Sequence, residues 1–342
     1  MIMTKGTKVF RVIISILLGF TMLWTAFVSY AFFYFTGADS DRRNGESYGL
    51  YVGGVEVTTG NAHDILGNGT ATFDATYNKL ILNNATIEYH DTLIYSEIDL
   101  NIELIGENKL VCKDKTYLTA IYASQGILRK DVSLDGTGTL EISYKNVTEG
   151  GTGIVAEDLW IGSDVTITTP DGSDITNAIV CTSSLTLRNK ANVTVNNGAA
   201  RSSTAVSVRG NAIIENGSTL TINNRPGSTS ACTGLSVDGN LYLGKEVSLN
   251  VTVDDETAEM SACVSVSGLM VIGRNSIVNA SAKKTHGIEC HGAIEVNAGA
   301  SVNAETAGDK SDIFCYGAFV NYGAAVNGEV ETLADIFDKS AN

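Results

Sequence analysis

A short apolar run recurs along the chain at Ile154, Ile179, Val206, Leu235, Val264, Ile288 and Ile313. The steps between these positions are 25, 27, 29, 29, 24 and 25 residues. Self-similarity at that period marks a solenoid, in which each unit buries its apolar face against its neighbours instead of in one shared core. Each unit reads as three short strands separated by turns, as in Ile154-Val155-Ala156, Leu159-Trp160-Ile161 and Val165-Thr166-Ile167. The sets Ile179/Leu185/Val193, Leu235/Leu241/Val247 and Ile288/Ile294/Val302 repeat the arrangement. The expected fold class is all-β, a parallel β-helix with about 24–29 residues per rung. Both prolines, Pro170 and Pro226, fall in the connections after the third strand, where no ladder hydrogen bond is lost. Gly and Asn at the corners supply left-handed backbone conformations.

The two ends depart from the repeat. Lys5, Lys8 and Arg11 precede an uncharged stretch of 27 residues, Val12 to Ala38. A bilayer-spanning helix needs roughly 20 residues and a signal-peptide core about 7–15, so the length favours a retained N-terminal transmembrane helix. Ser29-Tyr30-Ala31 and Thr36-Gly37-Ala38 read small-x-small, which keeps a cleaved signal and a secreted product as the alternative. The flanking charges place everything after Ala38 outside the cell. Residues 39–48 read as a linker, 49–89 as an N-terminal cap of the solenoid and 90–328 as rungs. Residues 329–342 read as a C-terminal cap. There Leu333, Ile336 and Phe337 sit at helical spacing and predict a short helix covering the last rung.

The formal charge of −15 argues against nucleic acid as a partner, because phosphate binding needs clustered Lys and Arg. The cysteines follow the repeat. Cys181, Cys290 and Cys315 lie two residues after Ile179, Ile288 and Ile313, where other rungs place Ala156, Val208, Val237 and Val266. This column is expected to point inward, with Cys acting as a small buried hydrophobe. Neighbouring rungs lie about 4.8 Å apart, inside the Cα window for a disulfide, so a Cys290–Cys315 pairing stays open. Cys232 and Cys263, each ending a Ser-Ala-Cys triplet, are also candidate neighbours.

Inward residues pack, so function belongs to the outward columns and the corner loops. The outward column of the second strand reads Trp160, Thr186, Ile213, Tyr242, Met270, Glu295 and Val320, which is apolar for a solvent face. Trp160, Tyr242 and Met270 are the candidate ligand-binding residues, since flat aromatic faces stack on sugar rings. Trp160 and Tyr242 should lie three rungs, roughly 14 Å, apart. The third strand offers Thr166, Thr194, Thr221 and Ser248, with Thr168, Asn196, Asn223 and Asn250 beside them, a flat polar ladder. In the loops, Asp254, Asp255, Glu256 and Glu259 form an acidic group that can hold Ca²⁺, although no established calcium-loop pattern is present. His286, Glu289 and His291 share a rung and can form a small site. No nucleophile motif and no Gly-rich phosphate loop occurs, and no outward cluster of acids with Arg or Lys is visible on one strand column.

The run Val52-Gly53-Gly54-Val55-Glu56-Val57-Thr58 continues to Asp64-Ile65-Leu66-Gly67-Asn68-Gly69-Thr70, Phe73-Asp74 and Leu80-Ile81-Leu82-Asn83-Asn84-Ala85. It precedes turns such as Gly136-Thr137-Gly138-Thr139-Leu140. This resembles a segment of surface proteins of Gram-positive anaerobes, which look similar to the carbohydrate-binding, pectate-lyase-like right-handed parallel β-helix group. The resemblance covers most of residues 49–328. It implies binding of a polysaccharide or cell-surface glycan, sometimes with Ca²⁺, more than turnover. Three readings follow: a membrane-anchored extracellular carbohydrate-binding protein without turnover, a polysaccharide lyase or hydrolase on the same fold, and a protein-binding adhesin or structural stalk.

Overall fold

The computed structural model describes residues 45–335 apart from 116–117, 148–149, 171–172, 199, 226–231, 255–261 and 308–309; for 173–176 and 200–202 it describes the backbone alone. The chain divides into two units. One comprises residues 1–47 with 58–61, in which the Glu46 N–H donates to Thr59 Oγ1 at 3.0 Å and the Thr58 N–H to Asn61 Oδ1 at 2.8 Å. The other, Tyr48–Val57 with Ala62–Asn342, holds the solenoid.

Apolar alternation over short runs makes strands, and among the described residues the strands stack into three sheets of 13, 11 and 10 members. One turn runs through Gly151–Ala156 on the first sheet, Leu159–Ile161 on the second and Asp164–Thr168 on the third. Successive turns pair in parallel and in register. Ile154 lies opposite Ile179, then Val206, Leu235, Val264, Ile288 and Ile313, the column expected from the repeat. The column two residues on, Ala156, Cys181, Val208, Val237, Val266, Cys290 and Cys315, is buried as expected. Each fully buried Val, Leu or Ile in such a column contributes about 1.5–3 kcal/mol of transfer free energy. All six cysteines are buried and none is in a disulfide. Leu235 pairs with Val264, so Cys263 lies opposite Gly234 and is not the neighbour of Cys232. Cys290 and Cys315 face each other across one rung, and the hydrogen bond between them, with burial, pushes the Cys290 thiol up.

The corners are as specific as the strands. Gly210, Gly239, Gly268, Gly292 and Gly317 stack at the turn between the first and second sheets; the Gly210 N–H donates to the Ser183 carbonyl at 2.7 Å, and each later N–H donates to the carbonyl of the glycine one turn back at 2.9–3.1 Å. A Cβ at any of the later four would fall on that carbonyl, so these four corners require glycine. Between the second and third sheets the left-handed positions include Asn84, Gly106, Asn189, Lys190, Gly217, Glu246, Asn275, Gly299 and Gly323.

The N-terminal end mixes strand directions. Leu50–Val52 runs antiparallel to Ile94–Ser96, and Ala71–Asp74 antiparallel to Lys79–Asn83. Lys79–Asn83 and Thr86–Tyr89 already run parallel to the first full turn. One hairpin leaves the first sheet where Leu128–Arg129 turns back on Ser124–Gln125, and its tip exposes Ile127.

The expected fold class is corrected at both ends. The architecture is an all-β parallel solenoid in which no described helix is long and apolar enough to cross a membrane. The transmembrane helix expected at 12–38 lies outside the described residues. Of the expected C-terminal helix the described residues hold 333–335, which are helical, and Ile336 and Phe337 lie outside the described residues. That turn starts at a capping box: the Asp335 carboxylate accepts from the Thr332 N–H and hydroxyl at 2.8 and 2.7 Å. Coverage of the last turn comes first from a strand, Val330–Thr332, paired parallel to Ile313–Cys315.

Candidate functional site

The second sheet presents one residue per turn outward. Lys79, Asn101, Ser133, Trp160, Thr186, Ile213, Tyr242, Val271, Glu295 and Val320 lie opposite one another in that order. Trp160 and Tyr242 are therefore three strands apart, roughly 14 Å at the standard spacing. Both are half-buried, and Ile213 between them is exposed. Met270 is not part of this stripe. It pairs with Leu241 and is fully buried, and Val271 takes the outward place beside Tyr242. Four apolar residues in a row, Leu269 to Ile272, left no alternation to set the face.

Two shallow grooves open on the stripe. The larger, about 480 Å³, is lined by Ile213, Tyr242, Val271, Glu215 and Lys190 among others. The smaller, about 360 Å³, is lined by Lys79, Asn101, Glu103, Ser133, Asp135 and Arg188. It lies one strand from Trp160, whose outward neighbour is Ser133. Both volumes fall within the range of about 300–1,000 Å³ usual for ligand sites.

The smaller groove holds acids and bases side by side. Arg188 grips Asp135 through Nη2–Oδ2 at 2.5 Å and Nε–Oδ1 at 3.3 Å, a two-pronged pairing. Asn189 Nδ2 adds a bond to Asp135 Oδ1 at 3.4 Å. Lys79 Nζ meets Glu103 Oε2 at 2.9 Å, and Glu103 holds the Lys79 ammonium above its usual range through that bond and its charge. Glu103 and Asp135 are neighbours in register, about 4.8 Å apart along the backbone. Ser133 Oγ donates to Asn101 Oδ1 at 2.9 Å on the groove floor. Sequence reasoning missed this cluster because Arg188 reaches Asp135 across 53 residues, over the intervening turn at Gly162. A Cβ on Gly162 would collide with the Asp135 carboxylate. The glycine is the only local trace the ion pair leaves in the sequence.

The other candidates do not converge. Asp255, Glu256 and Glu259 lie outside the described residues, and Asp254 is ion-paired with Lys283. Among the described residues no group of three or more His, Cys, Asp or Glu side chains is placed to hold a metal ion. His286 stacks on Phe314 with its Nδ1 2.7 Å from the Ser311 carbonyl oxygen. His291 stacks on Tyr316 and meets Glu289 at 3.3 Å. The two histidines thus face different partners.

The third sheet carries the polar ladder, with its register corrected. Thr166, Thr194 and Thr221 are followed by Asn250, Asn279, Asn303 and Asn327; Ser248 instead pairs with Thr219. Asn279 donates to Asn250, Asn303 to Asn279 and Asn327 to Asn303 at 2.6–2.8 Å. On the first sheet Tyr95 and Tyr122 stack at 6.0 Å, Tyr51 tilts against Tyr95 at the same distance, and Arg129 covers the Tyr122 ring at 4.7 Å.

Compared with family models, curated proteins and solved structures, the chain matches none.

Proposed function

We propose that the second face of this solenoid binds carbohydrate without turnover, with Trp160 and Tyr242 as its aromatic contacts. The observation that carries the reading is the stripe itself: an in-register outward column on which both grooves open. An aromatic ring joins apolar area to a polar tip, which suits a ligand whose rings have C–H faces and hydroxyl edges. The grooves beside the stripe supply the polar groups that fix orientation. We place the solenoid outside the cell, where polysaccharides and surface glycans are met.

The test is a glycan array probed with the purified chain and with the Trp160→Ala/Tyr242→Ala variant, each with Ca²⁺ and with chelator. The reading expects glycan binding by the parent, indifferent to chelator, and loss in the variant. Unchanged binding by the variant sinks the site. A silent array with protein capture favours an adhesin.

The smaller groove favours a second reading, a polysaccharide lyase or hydrolase, because it sets two carboxylates beside two cations. That reading requires chain shortening of a polysaccharide, read by reducing-end release or by the absorbance of unsaturated ends, and its loss in Asp135→Asn.

A further inference from the structure

We propose that the groove between Lys79 and Arg188 is a subsite for an uncharged sugar, recognised through adjacent hydroxyls by the Asp135–Arg188 pair. This rests on the carbohydrate-binding reading and names the ligand class of its polar end.

The charges in the groove cancel. Lys79 and Arg188 stand against Glu103 and Asp135, each cation already matched to its own carboxylate. A uronate entering here must take Arg188 from Asp135, a partner held by both Arg188 and Asn189. It must also approach a chain whose formal charge is −15, which disfavours a polyanion at low salt. An uncharged sugar meets neither obstacle.

The pair also has bonding capacity left over. A guanidinium has five N–H groups and a carboxylate about four lone-pair sites, more than the two bonds between them use. Both side chains are about one-third exposed, at 35% and 34%, so the remaining groups face the groove. Two neighbouring sugar hydroxyls can each accept from Arg188 and donate to Asp135, and charge-assisted bonds of this kind are stronger than neutral ones. Gly162 carries no side chain between Asp135 and Arg188, which keeps the pair open. Trp160 pairs with Ser133, which stands two residues before Asp135 on the same strand face, about 6.6 Å along it. A ring bound at the pair is therefore within reach of the indole.

The experiment is titration calorimetry on the full chain with two matched sets of probes: neutral tetrasaccharides of glucose, xylose and mannose, and a galacturonate tetrasaccharide. Each is run at 0.05 and 0.5 M NaCl. The expected results are binding of at least one neutral probe, a Kd that changes less than twofold between the salts, and at least tenfold weaker binding of the galacturonate. Arg188→Met and Asp135→Asn are each expected to weaken the neutral probe at least tenfold. Lys109→Met, an exposed cation on another face, is expected to change nothing. Circular dichroism on every variant confirms an intact solenoid, and the milder Arg188→Lys replaces Arg188→Met where that variant is unfolded. Tighter binding of the galacturonate, weakening with salt, overturns the proposal and makes the groove an acidic-sugar site. Binding lost in Trp160→Ala but unchanged in both ion-pair variants overturns it while leaving the carbohydrate reading standing. No binding of any probe, on this panel and on the array, overturns both.

Discussion

The second and third faces of the solenoid share one turn spacing and one core, yet they use their outward residues in opposite ways. On the third face Asn250, Asn279, Asn303 and Asn327 repeat, and each amide is bonded to the next along the axis. On the second face no two neighbouring turns carry the same residue type: Ser133, Trp160, Thr186, Ile213 and Tyr242 follow one another. Identical neighbours satisfy each other, and their hydrogen bonds go into holding the stack. Unlike neighbours leave apolar area and polar groups unmatched, and those are available to a ligand. In this solenoid the place to look for function is where the outward repeat breaks.

Substitutions separate the two roles. Leu241→Asp gives the largest effect, because Leu241 is fully buried directly beside Tyr242. An unpaired carboxylate there costs several kcal/mol, and circular dichroism should show loss of the cooperative thermal transition. Next is alkaline pH, which acts on the core beneath both faces. Burial pushes the Cys112 and Cys263 thiols up from 9.0 to about 12. A raised acid group stabilises the fold below its unfolded pKa, so stability should hold below pH 9 and fall as pH rises toward about 12. Denaturant midpoints across that range read it directly.

The double change Trp160→Ala/Tyr242→Ala should lower glycan affinity at least tenfold, about 1.4 kcal/mol. Its melting transition should stay cooperative and move far less than that of Leu241→Asp, since both side chains are only half-buried. Asn279→Ala is the converse. It removes one bond given to Asn250 and one accepted from Asn303, and should cost about 1 kcal/mol in chemical denaturation with glycan affinity unchanged. The smallest effect belongs to Lys109→Ala, whose ion pair with Glu141 at 3.1 Å is about half exposed, and whose contribution should be under about 0.5 kcal/mol.

What the sequence reveals follows the same division. The inward column from Ile154 to Ile313 was legible because every turn must bury an apolar residue at the same place. The column of Ala156, Cys181 and Cys290 followed for the same reason. Outward register was legible only where a turn offered clear alternation. Met270 was misplaced because Leu269, Met270, Val271 and Ile272 give no period. Ser248 was misplaced by two residues because Ser248 and Asn250 share a face, so a slip of two preserves the pattern. The ion-paired groove was not legible at all. It depends on which side chains meet across two turns, and Arg188 and Asp135 carry no spacing signal that links them. Gly162 is the one residue whose identity the groove dictates, and a lone glycine at a corner reads as a turn.

The most direct test of the account measures one glycan ligand against two variants side by side, Trp160→Ala/Tyr242→Ala on the second face and Asn279→Ala on the third. The account predicts that the first loses binding and keeps its melting transition, while the second binds as the parent does and melts earlier. Binding lost from the ladder variant and kept by the stripe variant would contradict it.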